Sequence, residues 1–280
     1  MRFENPKIKD GINVSKEHPL KEFFQLLLGV LAVIVVLIIV ANLSVSFLAK
    51  KIPFSYEEKL VSHIDSLQVE TSPEQQQLQV IADKLSVHMD LPEGMKIKVH
   101  YNDGATVNAF ATIGGNVFFY KGLIEKLPSE EALAMVMAHE IAHIKHRHPI
   151  VATGRGLTLM VAGGFISGAS GSGAGELLIN ESMVIGLLKF SRDQESQSDI
   201  TALKALNAVY DNVQGAKELF DVFSGLTQSV ASQPEIFLSH PHSINRWQNL
   251  QVIAEQNSWN ISQQTQPLSG ALLKLKTTKE

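Results

Sequence analysis

From Phe23 to Ala49 the chain runs 27 residues without a charge. A helix apolar on every face finds no water-facing side in a small soluble domain, whereas a bilayer accepts it. The run is long enough to cross a hydrocarbon core about 30 Å thick with some tilt. A buried core helix is the other reading, and the uniform apolarity of the run argues against it. The run is too long, and preceded by too long a polar tail, for a cleavable signal peptide. The chain therefore reads as a tail (1–22), a transmembrane helix (23–49), a juxtamembrane linker (50–74), a folded domain (75–262) and a C-terminal tail (263–280).

Five Lys/Arg (Arg2, Lys7, Lys9, Lys16, Lys21) precede the run, and residues 50–70 carry three (Lys50, Lys51, Lys59). The positive-inside rule then leaves the N-terminus in the cytoplasm. The domain is expected outside it, on the periplasmic face of a single-pass inner-membrane protein if the cell is Gram-negative. A net charge of −4 and a pI near 6.2 give no reason to expect a nucleic-acid partner. Without cysteine, disulfides, thiolate metal sites, thiol catalysis and an acylated-cysteine anchor are all excluded. Oligomeric state is not legible.

The chemistry lies in His139-Glu-Ile-Ala-His143. Leu133, Val136, Met137, Ile141 and Ile144 recur at spacings of three and four, predicting a helix from Glu130 to about Arg147. Ser129 is its N-cap, Glu130 and Glu131 suit its first turn, and His148-Pro149 ends the pattern. Histidines at i and i+4 share one helical face and present two imidazoles to one zinc ion. Glu140, beside that face, is placed to act as general base on water at the metal. A solvated histidine-rich face, with His146 and His148 joining it, is the competing reading; Ile141, Ala142 and Ile144 make that face too apolar to be wholly exposed.

A third ligand is needed. The extended motif with a third histidine is excluded, because His146 and Pro149 occupy its glycine and histidine positions. A glutamate from a second helix is the other solution. Glu195 and Asp199, four apart in Ser191–Asp199, share a face: Glu195 closes the metal shell and Asp199 accepts from the second ring nitrogen of a ligand histidine, His139. Asp193, Glu176 and Glu181 compete for the third position, and an ordinary charged surface is the bland reading of the stretch.

These stretches resemble the membrane-associated gluzincin peptidases that include HtpX and the CAAX prenyl endopeptidases. The resemblance covers about residues 75–255. It rests on Asn108-Ala-Phe-Ala111 with Gly114–Leu123, on His139–His143 with His148, on Arg192–Asp199, and on Ser239-His-Pro-His-Ser-Ile-Asn-Arg246. It implies an α+β, mostly helical zincin-type domain with a small antiparallel sheet. It also implies one zinc per chain held by His139, His143 and Glu195, with Glu140 as base. His240 is expected near the cleft, stabilising the oxyanion, and Arg246 is expected to hold that region. Two departures are visible: Ser198 replaces the usual alanine, and one span stands where HtpX-type members have several.

Lys96–His100 alternates as a strand, and Val117–Tyr120 is rich in strand formers after Gly114-Gly115. A strand beside the zinc helix can pair with an extended peptide through main-chain hydrogen bonds. Asn108, Ala109, Phe110, Asn116, Val117 and Phe118 are the candidate substrate-binding residues; a plain core hairpin is the alternative. Residues 156–175 are uncharged but contain seven glycines, and read as a lid or membrane-facing loop, or as a membrane hairpin with 177–190.

The expected activity is endopeptidase cleavage of misfolded or membrane-associated proteins beside the bilayer. A zinc-stabilised chaperone or assembly factor and a CAAX-type prenyl-protein protease are the alternatives.

Overall fold

The computed structural model describes residues 19–67, 72–167, 189–229, 234–240 and 245–277. Its first helix, α1 (Pro19–Leu48), is long and apolar enough to cross a membrane, and none of its apolar window is buried by protein. Water would penalise that bare apolar surface.

The segment read as a juxtamembrane linker is structured. It forms α2 (Phe54–Leu67), followed by α3 (Pro73–Ser86). Buried Glu57 fastens α2 to the domain. Its Oε2 accepts the Gly114 N–H at 3.0 Å, and its Oε1 lies 2.5 Å from Arg147 Nη1. Arg147 also donates to the Ile52 carbonyl.

Three strands follow: β1 (Lys98–Asn102), β2 (Ala109–Ala111) and β3 (Asn116–Tyr120). The sheet is mixed rather than antiparallel. β3 lies in the centre, antiparallel to β2 (Phe110 opposite Phe118) and parallel to β1 (His100 opposite Phe118). The chain turns tightly from β2 into β3, and that return strand inserts between β2 and β1. Gly114 and Gly115 make the turn with φ of 76° and 81°, and a Cβ on Gly115 would sit 2.0 Å from the Lys96 carbonyl oxygen.

After the short α4 (Lys121–Ile124) comes α5 (Glu130–Lys145), N-capped by Ser129, whose hydroxyl accepts the Ala132 N–H at 3.1 Å. Every residue from Glu131 to Ile144 is buried. The apolar spacing in the sequence suggested a one-sided stripe; α5 is instead the central helix, surrounded by β2, α3, α7 (Arg192–Tyr210) and α8 (Gln214–Ser229). Short α9 (Ile236–Ser239), α10 (Asn245–Gln256) and α11 (Gly270–Thr277) complete the described elements. The C-terminal tail read from sequence belongs to the domain. Leu268 and Leu272 lie in the main core, and the Gln266 N–H donates to Glu131 Oε2 at 2.8 Å.

Arg147, at φ 63°, turns the chain from α5 into α6 (His148–Ser167). Pro149 falls in the first turn of α6, where no intrahelical N–H is required. The presumed loop 156–175 is thus helical to Ser167; 168–175, and 177–188 of the possible hairpin, lie outside the described residues. α6 runs against the end of α1: Ile150 and Val151 pack with Ala49 and Val45, and Arg155 Nη2 donates to Ser46 Oγ at 2.7 Å.

Candidate metal centre and active site

α5 and α7 cross so that the second half of the first faces the first two turns of the second. The start of α7 is fixed by a capping box: the Gln194 N–H donates to Ser191 Oγ at 3.3 Å, and the Ser191 N–H donates back to Gln194 Oε1 at 3.0 Å. Glu195 and Asp199 consequently point into the protein, both buried.

His139 Nε2 and His143 Nε2 lie 3.0 Å apart. Glu195 Oε2 is 3.6 Å from the first and Oε1 is 3.4 Å from the second. His240 Nδ1 joins them, 3.3 Å from His139 Nε2 and 3.0 Å from Glu195 Oε1. All four residues offer a donor atom within 4.8 Å of one another. A tetrahedral ion bonded at about 2.0–2.1 Å holds its donors about 3.3 Å apart. The observed separations cluster around that value. Two imidazole nitrogens facing each other cannot both hydrogen-bond well, whereas both can ligate one cation. The residues present therefore fit a metal ion.

The surroundings prepare these donors. Burial holds His143 well below 6.5, so it stands neutral and able to ligate. Asp199 Oδ1 is 3.0 Å from His139 Nδ1, the nitrogen facing away from the donor cluster. Burial alone would raise Asp199, but Arg246 and His139 together more than offset it and hold the carboxyl below its usual value. The Arg246 Nε donates to Asp199 Oδ2 at 2.7 Å and Nη2 to Oδ1 at 2.6 Å, while Nη1 lies 2.9 Å from Glu195 Oε2. One guanidinium thus orients both acids of α7. Glu140 is buried beside the cluster, its Oε1 3.5 Å from His240 Nε2. Burial raises its pKa, partly offset by His240 and His139.

Of the residues nominated from sequence, His139, His143, Glu195 and His240 come to one point, Glu140 stands next to it, and Asp199 and Arg246 lie behind. His240 is closer than expected: it lies among the donors rather than merely near them. Asp193 is exposed on α7, while Glu176 and Glu181 lie outside the described residues.

The strand residues divide. The Tyr120 N–H donates to the Asn108 carbonyl and the Thr112 N–H to the Asn116 carbonyl, so Phe110 faces β3 with its main-chain groups. By the alternation of an antiparallel ladder, Ala109 and Ala111 direct theirs to the other edge, which has no strand partner among the described residues. Asn116, Val117 and Phe118 lie on the central strand, paired on both sides, so their backbone is not open to a peptide. The Asn108 amide is fully buried with no hydrogen-bond partner among the described residues. An apolar recess lined by Val136, Leu219, Phe220, Phe223 and Ile236 opens beside His139 and Glu140.

Three contributors were given no role of their own by the sequence reading. His148 is buried, not part of a solvated face, and its Nδ1 lies 3.0 Å from His143 Nδ1. Gln197 Oε1 lies 3.2 Å from His148 Nε2. Phe190 stacks on the His143 ring with centroids 4.0 Å apart, and its N–H donates to the Ser239 carbonyl, joining the start of α7 to the His240 segment. Only His148 left a trace in the sequence, and its direction depends on the left-handed turn at Arg147.

A central helix carrying His-Glu-x-x-His, met by a glutamate from a second helix and flanked by a sheet whose edge strand β2 has no further strand partner among the described residues, defines a metal-dependent peptidase. The chain belongs to peptidase family M48, whose model matches residues 72–254. It is similar to the mitochondrial metalloendopeptidase OMA1 of Schizosaccharomyces pombe, with 30% identity over 157 residues, covering 54% of this chain and 45% of the relative. It is also similar to the beta-barrel assembly-enhancing protease of Escherichia coli K12, with 29% identity over 168 residues, 53% of this chain and 34% of the relative. The putative protein of that name from Vibrio cholerae shares 28% identity over 144 residues, 48% of this chain and 30% of the relative. The chain thus spans less than half the length of these relatives.

Proposed function

We propose that this protein is a membrane-anchored zinc endopeptidase of protein quality control, cleaving misfolded or membrane-associated proteins next to the bilayer. The observation that carries the reading is the convergence of His139, His143 and Glu195 beside the buried carboxylate of Glu140. His139 Nε2, His143 Nε2 and Glu195 hold the ion, and the nitrogen and oxygen donor set suits zinc. Zinc bound there supplies the Lewis acidity that polarises a scissile carbonyl and makes water acidic enough to attack near neutral pH.

Glu140 takes the proton from the attacking water and delivers it to the departing amide nitrogen. Asp199, clamped by Arg246, fixes the His139 tautomer. An extended substrate pairs with the edge of β2 at Ala109, with the Asn108 amide as a further partner and the apolar recess receiving a side chain. That mode reads the main chain first and favours unfolded segments. His240 serves the oxyanion. The relatives' names, a mitochondrial metalloendopeptidase and beta-barrel assembly-enhancing proteases, support a role in membrane-protein quality control. α1 supports membrane attachment, with the domain on the non-cytoplasmic side.

The test is cleavage of an unfolded protein by detergent-purified full-length chain, with and without chelator, beside Glu140→Gln. Activity in wild type alone, restored by zinc after chelation, is expected. Equal activity in Glu140→Gln would overturn the reading.

A further inference from the structure

The two histidines of the donor cluster are backed differently. Behind His139 stands a carboxylate, Asp199, itself gripped by Arg246. Behind His143 stands a third imidazole. His148 Nδ1 is 3.0 Å from His143 Nδ1, and both rings are buried. The far nitrogen, His148 Nε2, is 3.2 Å from Gln197 Oε1, and Ser198 Oγ lies 3.4 Å from Nδ1.

Hydrogen-bond logic leaves one consistent assignment. Nε2 of His143 points into the donor cluster and must present a lone pair, so the proton of the neutral ring sits on Nδ1. That N–H faces His148 Nδ1, which must then accept. A neutral ring that accepts at Nδ1 carries its proton on Nε2, where Gln197 Oε1 is placed to receive it. Each nitrogen in the chain His143–His148–Gln197 thus has one role, fixed by the next.

We infer that His148 is a positioning residue for the metal centre, holding His143 in the tautomer and orientation that directs Nε2 at the ion, with Gln197 setting the tautomer of His148 in turn. The inference rests on the zinc reading above. It also explains why the backing group is an imidazole. Glu140, Glu195 and Asp199 already place three acids in this interior, where Arg246 is the fixed cation. A further carboxylate behind His143 would add an uncompensated buried charge, whereas an imidazole supplies an acceptor and stays neutral. Phe190 stacks on the face of the His143 ring and holds it in place from that side.

The test is zinc affinity, measured on full-length chain in detergent by competition with a chromophoric chelator. Visible spectra of the cobalt-substituted protein serve as a second readout. Loss of an outer-sphere partner typically weakens metal binding about 10- to 100-fold. His148→Phe keeps a ring but offers no acceptor, and is expected to lose affinity in that range and to shift the cobalt spectrum. His148→Asn places an amide oxygen where Nδ1 was and is expected to recover most of the loss. Gln197→Met, at an exposed position, is expected to cost several-fold. Folded His148→Phe with affinity within threefold of wild type would overturn the inference. Should His148→Phe not fold, unchanged affinity in Gln197→Met would do the same. Wild-type chain that takes up no zinc would sink the zinc reading itself, a separate outcome visible before any variant is made.

Discussion

Arg246 lies against Asp199 as a two-pronged fork, Nε on one carboxylate oxygen and Nη2 on the other, at 2.7 and 2.6 Å. The third nitrogen reaches Glu195. Glu195 and the carboxylate behind His139 therefore share one cation. Arg246→Lys keeps the charge but loses the fork, and is expected to weaken metal affinity about 10-fold or more while leaving a folded protein. Arg246→Met strands two buried acids and is expected to destabilise by about 3–5 kcal/mol. Chelator competition and thermal melts separate the two effects.

Glu140→Gln retains the shape and burial of the side chain but cannot accept a proton. It is expected to lower kcat about 10²- to 10⁴-fold with little change in zinc stoichiometry. Single-turnover cleavage with bound metal measured in the same samples checks this, and a variant that loses both metal and activity would contradict it.

The buried pair Glu57–Arg147 joins the juxtamembrane helix to the turn after the metal helix. Removing one partner, as in Glu57→Gln or Arg147→Met, is expected to destabilise the domain by about 3–5 kcal/mol, because the other charge stays buried. Removing both, in Glu57→Gln with Arg147→Met, should recover much of that loss. Denaturant unfolding of the three variants forms a cycle, and strict additivity would refute the coupling.

Acid is expected to weaken the metal-free fold through the imidazoles beyond α5. Burial, with Lys145 and Lys50 nearby, holds His146 below 6.5, and burial pushes His148 down to about 4. In the unfolded chain both protonate near 6.5. Between pH 6.5 and 4 the unfolded state therefore binds more protons, and stability falls as pH falls. Tm should drop as the chelated protein is taken from pH 7 to 5, less steeply in His146→Gln. Identical slopes would rule His146 out as a contributor.

The sequence carried the parts of the site that depend on local geometry. Histidines at i and i+4 with glutamate between them, and acids at i and i+4 on a second segment, are legible because a helix fixes those relations in advance. The membrane-length run is legible for the same reason. What stayed hidden depends on how elements meet. The burial of α5 on every side comes from its neighbours, not from its own pattern. The parallel pairing of β1 with β3 follows from where the return strand inserts. The partnership of His148 with His143 requires the left-handed Arg147, a conformation its residue type gives no reason to expect. Leu268 and Leu272 looked like tail residues because the segment around them is short and mixed; their burial is decided by α3 and α4, far away in sequence.

The contact of α6 with the end of α1 bears on where a peptidase of this shape can cut. Ser46 and Ala49 of the anchor touch Arg155, Ile150 and Val151, only a few residues after the metal helix ends. With α1 fixed in a bilayer, Glu140, the base in the function proposed above, would stand at a set height above the lipid surface rather than roaming on a leash. Such an enzyme would measure as well as cleave: the scissile bond would be chosen by its distance from the membrane, and a substrate loop too short to climb to that level would survive whatever its sequence.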